Sequence, residues 1–243
     1  QMKDELLAVV GHELRTPLTS IRGSLGLLAA GAVGPLSVDS ERLVSIAGDN
    51  TERLVRIVDD LLEMGKLDQR RMRMNLRPTC VMRICREVAD TLAETAQHRD
   101  VQISCTVAEE KLCAVLDPDR MQRVISNLLD NAVRMSPAGG RVNVHITRLH
   151  EGDTCRIEVV DDGPGVPESD RGRIFDRFVQ VNSGDTRPSG GLGLGLAICA
   201  EIVELHNGVL TVDAAPGRGA RFRCDLPLKG PGAPVPAAEV VVL

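Results

Sequence analysis

Val159-Val160-Asp161-Asp162-Gly163-Pro164-Gly165-Val166-Pro167 is a hydrophobic run that reaches two carboxylates and then breaks into a glycine- and proline-rich turn. The run reads as a buried strand, and the Asp-x-Gly-x-Gly at its end lets a ligand approach the backbone where side chains would otherwise stand. A carboxylate fixed at that point can accept the exocyclic amine of adenine, a charge-assisted bond worth about 1.5 to 3 kcal/mol. The same letters also suit a calcium loop or a plain tight turn, although calcium would want further carboxylates at alternate positions, and Gly163, Pro164 and Gly165 supply none. Outward from this strand, β-like runs at 72–76, 101–107, 112–116, 142–148, 155–160, 209–214 and 221–226 alternate with helical patterns at 81–97, 118–135 and 193–206. That alternation predicts a mixed α/β sandwich over residues 69–228, in which Asp117 and Asp119 flank the start of the second helix and can cap its free amides.

Residues 4–68 follow another rule. Apolar residues recur at three- and four-residue steps, interrupted once by the Gly/Pro/Ser-rich stretch 31–40, which predicts a helical hairpin. In its second helix Leu43, Ala47, Asn50, Leu54, Ile57, Leu61 and Met64 form a heptad seam with one polar member, Asn50, placed to fix register. Val44, Val55, Val58 and Leu62 widen that face beyond what one neighbouring helix can cover, so a homodimer forming a four-helix bundle is expected. Residues 229–243 read as a Pro/Gly/Ala-rich tail ending in Val240, Val241, Val242 and Leu243.

Composition limits the partners. Three Phe and no Trp or Tyr in 243 residues argue against stacking of nucleic-acid bases, and a net charge of −5 gives no basic footprint for DNA or anionic lipid. No apolar run approaches the roughly 20 residues of a membrane span, so no membrane contact is expected from this stretch. Seven scattered Cys with no C-x-x-C read as buried thiols of a reducing cytoplasm. Gln1 ahead of Met2 reads as the edge of an excised fragment whose upstream part could carry an anchor.

Three further constellations carry chemistry. His12, in Val10-Gly11-His12-Glu13-Leu14-Arg15-Thr16-Pro17, lies roughly 200° around the helix from Val10 and so on the solvent side, with Glu13 beside it to hold or accept an imidazole proton. Pro17 would bend the helix one turn later, and an ordinary surface His remains the competing reading. Asn127, Asn131 and Arg134 share one face of a predicted helix, a set that suits Mg²⁺ and phosphate and equally an unremarkable polar surface. Ser189-Gly190-Gly191-Leu192-Gly193-Leu194-Gly195 runs into an apolar helix whose amides can receive phosphate. Just before it, Phe175 and Phe178 precede the polar stretch 182–189, as a flap on an apolar hinge would.

In this order the motifs resemble those of the sensor histidine kinases of two-component systems across residues 1–228. The segment at His12 resembles the H box, Asn127 to Arg134 the N box, Asp161 to Gly165 the first glycine box, Phe175 to Phe178 the F box and Gly191 to Gly195 the second glycine box. The resemblance implies a dimerisation and phosphotransfer domain at 1–68 and a Bergerat-type ATP-binding domain at 69–228. It implies that His12 attacks the γ-phosphate of ATP with Glu13 as base or orienter, that Thr16 serves dephosphorylation, and that the phosphoryl group passes to an Asp of a response regulator receiver domain. It implies ATP contacts from Asn127, Asn131, Arg134, Asp161, Gly163, Gly165, Phe178, Gly191, Leu192, Gly193, Leu194 and Gly195, with Mg²⁺ on Asn131. Gly11, Arg134, Met135, Gln180 and Leu192 depart from the usual residues, and Leu192 and Gln180 favour the alternative of a nucleotide-binding pseudokinase or scaffold. Gln180 and 240–243 also resemble hybrid kinases, the latter as the start of a receiver domain.

Overall fold

The computed structural model describes residues 2–67, 74–108, 112–149, 153–180, 192–215, 217 and 219–230. The chain divides into two compact units, 1–72 with 188–194, and 73–187 with 195–243. The expectations for 240–243 and for the flap at 182–189 lie outside the described residues.

The first unit holds α1 (Met2–Ala29) and α2 (Val38–Leu67). The α-helix α1 runs on through Pro17. Gly31 and Gly34, at φ of +73° and +108°, turn the chain in a conformation that L side chains rarely adopt. Ser37 then caps α2 by accepting the Ser40 amide, and Asp39 and Glu41 complement the positive end of the helix dipole. Thr51, Val58 and Met64 are buried, whereas Leu43, Leu54 and Leu61 of the heptad seam remain 66%, 48% and 38% exposed. Asn50 donates to the Ile46 carbonyl of its own helix.

In the second unit, β1 (Arg77–Cys80) pairs antiparallel with β3 (Cys113–Leu116). A five-stranded sheet has the order β2-β4-β5-β7-β6, from β2 (Gln102–Val107), β4 (Arg141–Leu149), β5 (Thr154–Asp161), β6 (Val209–Ala214) and β7 (Ala220–Pro227). Only the β2–β4 pair among these is parallel. The helices α3 (Val81–His98), α4 (Pro118–Met135) and α5 (Gly195–Leu205) pack on this sheet. Alternation along the strands sorts the faces: Val142, Val144, Ile146, Cys155, Ile157, Val159, Phe222, Cys224 and Leu226 are buried, while Arg156, Glu158, Arg223 and Asp225 form ion pairs on the other face. Asp161 keeps the parity of the buried row, which brings its carboxylate into the interior at the end of β5.

Two elements differ from the sequence expectation. Of the strand expected at 72–76, residues 72 and 73 lie outside the described residues and 74–76 are not strand: the Asn75 amide donates to the Asp117 carboxylate, and the strand β1 follows at 77–80. Pro78, which lacks an amide hydrogen, is accommodated in a two-stranded edge. The helix expected from 193 starts at Gly195, since Gly193 has a φ of +72° that no right-handed helix contains.

Candidate functional site

The centre of the site is Asp161, 4% exposed. Its Oδ1 accepts the Gly163 amide at 2.8 Å and the Ala220 amide at 3.1 Å, so one oxygen is fixed by backbone from both sides of the strand end. Burial raises its pKa above the ordinary carboxylate value, more than these two amides lower it. Asp162 goes elsewhere, accepting the Arg141 amide at the start of β4. The packing here leaves no room for side chains. A Cβ on Gly163 would stand 2.8 Å from Asp161 Oδ1 and 2.9 Å from the Met135 carbonyl, and one on Gly219 would stand 1.6 Å from the Asp161 carbonyl. Gly165 completes the turn at a φ of +76°.

The Met135 contact brings the last turn of α4 over the end of β5. Asp117 caps the start of this helix by accepting the Arg120 amide, and Pro118 occupies its first position, where the missing amide hydrogen costs nothing. Buried Leu128, Leu129, Ala132 and Val133 pin one side of α4 to the core, leaving Asn127, Asn131 and Arg134 half-buried on the other. Arg134 folds back along its own helix: its Nη2 donates to Asn131 Oδ1, and its Nε lies 3.3 Å from Asp130 Oδ2. Asn127 lies against the first residue of α5, with its Oδ1 3.5 Å from where a Gly195 Cβ would be. The structure therefore brings Asp161 and Gly163 to the last turn of α4, and Gly195 to Asn127 two turns earlier on the same helix, with Asn131 and Arg134 on its half-buried side.

Other expected residues are placed less closely. Leu192 and Gly193 are half-buried, Leu194 is buried, and all three group with the first unit; Gly191 is outside the described residues. Phe178 is 64% exposed at a φ of +66°, which is unusual for a bulky residue, while Ile174 anchors that segment in the core. His12 and Glu13 lie on the α1 backbone, outside the described side chains, and Thr16 is exposed. Sequence reasoning missed Gly219, the Ala220 amide and the Met135 carbonyl. The letters Gly217-Arg218-Gly219 ahead of a strand were the available signal for the first of these.

Residues 2–70 match the family described as His Kinase A (phospho-acceptor) domain, and residues 116–230 match that described as Histidine kinase-, DNA gyrase B-, and HSP90-like ATPase. The chain belongs to the histidine kinase family. It is 35% identical over 229 residues to the sensor histidine kinase WalK of Bacillus subtilis, an alignment that takes in 94% of this chain and 37% of WalK. The crystal structure of full-length ShkA in complex with AMPPNP superposes with a TM-score of 0.72 at 28% identity over 93% of this chain and 46% of that one. Histidine kinase ThkA in complex with the response regulator protein TrrA shares the fold, with a TM-score of 0.64 at 23% identity over 93% and 61%. The chain thus spans little more than a third of WalK's length. Among the described residues no helix is long and apolar enough to cross a membrane.

Proposed function

We propose that this chain is the catalytic core of an ATP-dependent protein-histidine autokinase. The observation that carries the reading is the buried Asp161 carboxylate, one oxygen held by backbone amides, beside the last turn of α4, which carries Asn131 and Arg134 on its half-buried side. The remaining oxygen of Asp161 suits the adenine amine, and the glycines let the backbone close tightly around the strand end that holds this carboxylate. Arg134 and the amides at the start of α5 suit the phosphates.

The donor chemistry around Asn131 fits Mg²⁺: its amide oxygen already accepts from a cation, the Arg134 guanidinium. When bound, the metal would offset charge developing on the transferred phosphoryl group. Asn131 would contribute one oxygen, and Arg134 would release it and turn toward the phosphates. In the transfer, an imidazole nitrogen of His12 forms a bond to the γ-phosphorus while the bond to the bridging β-phosphate oxygen breaks and ADP leaves. Glu13 orients the ring or takes its proton, and the phosphoryl group then passes to an Asp of a response regulator receiver domain. Thr16, one helical turn beyond His12, serves the reverse removal of phosphate from that regulator.

The exposed seam of Leu43, Leu54 and Leu61 supports a homodimer in which the two hairpins form a four-helix bundle. The test is incubation with γ-labelled ATP and Mg²⁺. An acid-labile label is expected on the wild-type chain and none on His12→Gln; label that persists in the variant would sink the assignment of His12.

A further inference from the structure

His206 is buried at the far end of α5, 2% exposed. The helix ends there in a Schellman arrangement, with the Gly208 amide donating to the Val203 carbonyl and the Asn207 amide, at a φ of +56°, to that of Glu204. His206 is therefore the capping residue of α5. Its two ring nitrogens both meet backbone: Nε2 lies 2.9 Å from the Asp117 amide nitrogen and Nδ1 2.8 Å from the Ile202 carbonyl oxygen. An amide can only donate and a carbonyl can only accept, so Nε2 must be bare and Nδ1 must carry the hydrogen. Burial depresses the His206 pKa, more than the Ile202 carbonyl and Asp117 raise it, and this keeps the ring neutral as that pattern requires.

The partner of Nε2 is the capping residue of α4. The Asp117 amide lies outside the helix's own hydrogen-bond ladder, and in the core it needs an acceptor. The imidazole thus ties the C-terminal end of α5 to the N-terminal end of α4, two antiparallel helices that also meet where Gly195 lies against Asn127. Gly195 and His206 are 11 residues apart along α5, roughly 16 Å at the helical rise. Between them the Cys199 thiol approaches the Val124 carbonyl only to 3.8 Å, a weak bond, whereas the 2.9 Å bond at His206 is a firm directional tie against the sliding of α5 along α4.

We propose that His206 is a positioning residue of the nucleotide site: by accepting the Asp117 amide hydrogen it locks the axial register of α5 against α4 and so holds the start of α5 beside Asn127. The proposal rests on the reading that ATP binds at Asp161, Asn127 and the start of α5. His206 touches no nucleotide and acts through α5.

The experiment uses the full chain, with a fluorescent ATP analogue displaced by ATP in the presence of Mg²⁺. In His206→Gln, the side-chain oxygen reaches the Nε2 position and keeps the Asp117 bond. In His206→Asn, the shorter amide keeps the Ile202 bond and loses the Asp117 bond. Affinity is expected within about twofold of wild type for the Gln variant and about tenfold weaker for the Asn variant, as for coupling through packed helices. Equal affinity in the Asn variant, or an equal loss in both, overturns the proposal. Histidine ¹⁵N spectra of the wild-type chain are expected to show His206 protonated at Nδ1 and bare at Nε2; the opposite tautomer overturns it even where the Asn variant does not fold. A wild-type chain that fails to bind ATP overturns the underlying site reading, an outcome separate from unchanged affinity in the variant.

Discussion

Asp161 is a carboxylate that the fold makes harder to ionise and that the proposed chemistry needs ionised. Its pKa is raised by burial, so between the ordinary 3.8 and its raised value the folded chain holds more protons than the unfolded chain. Stability contributed by this group therefore falls as pH rises across that window, whereas affinity for the adenine amine is gained across the same window. Acid should accordingly weaken ATP binding from a pH above the ordinary carboxylate value, as a titration of affinity against pH would show. Asp161→Asn separates the two effects. Its amide oxygen can still accept from Gly163 and Ala220, so the melting temperature should hold or rise, while the lost charge-assisted bond should cost about 1.5 to 3 kcal/mol of binding, roughly 10- to 150-fold. Binding that survives intact would remove Asp161 from the site. Gly219→Ala acts through sterics instead: a methyl group 1.6 Å from the Asp161 carbonyl forces the backbone apart, and a loss of about 1 to 3 kcal/mol in denaturant unfolding is expected along with weaker nucleotide binding. Asp161 itself was legible as the end of a hydrophobic run. Gly219 was not, because what it accommodates lies 58 residues earlier in the chain.

At the scale of elements, α2 carries two apolar stripes, and α1 accounts for only one. Thr51 and Val58 are buried and Val44, Val55 and Leu62 half-buried, while Leu43, Leu54 and Leu61 keep much of their surface in solvent. If a second hairpin covers the exposed seam, the double substitution Leu54→Asp with Leu61→Asp places two charges in a four-helix core. The chain should then sediment as a monomer with its helical circular dichroism largely retained; a dimer that persists would move the interface elsewhere. Periodicity made the existence of the helices clear, and α4 has the bounds that spacing and capping predicted, since Asp117, Pro118 and the apolar stripe all point to the same start. It failed at 74–76, where the alternation of residues is strand-like but the Asn75 amide donates to Asp117. It also could not tell which of α2's two stripes is covered within the hairpin and which stays exposed, because both obey the same spacing.

In the whole molecule, scarcity of aromatics is met by aliphatic and thiol packing. Phe222 is in the core and Phe178 is exposed, while Cys85, Cys155, Cys199 and Cys224 are buried, with burial pushing the Cys155 thiol up to about 12. These four fill volume in the core, whereas Cys113, expected as a buried thiol, is exposed, and Cys80 and Cys105 are half-buried. The sequence by itself determined the kinds of elements, their order, and the local motifs that need only neighbours within a turn or a strand end: the helical hairpin, the capped α4, and the carboxylate and glycines after Val160. Tertiary structure alone decided which distant groups meet those motifs. The Ala220 amide reaches Asp161 across 59 residues, and His206 reaches the Asp117 amide across 89. The physical reason is that periodicity reports which face of an element is buried, whereas a buried amide or carboxylate must find one partner of the right polarity within hydrogen-bond distance, and only the packed fold specifies which one.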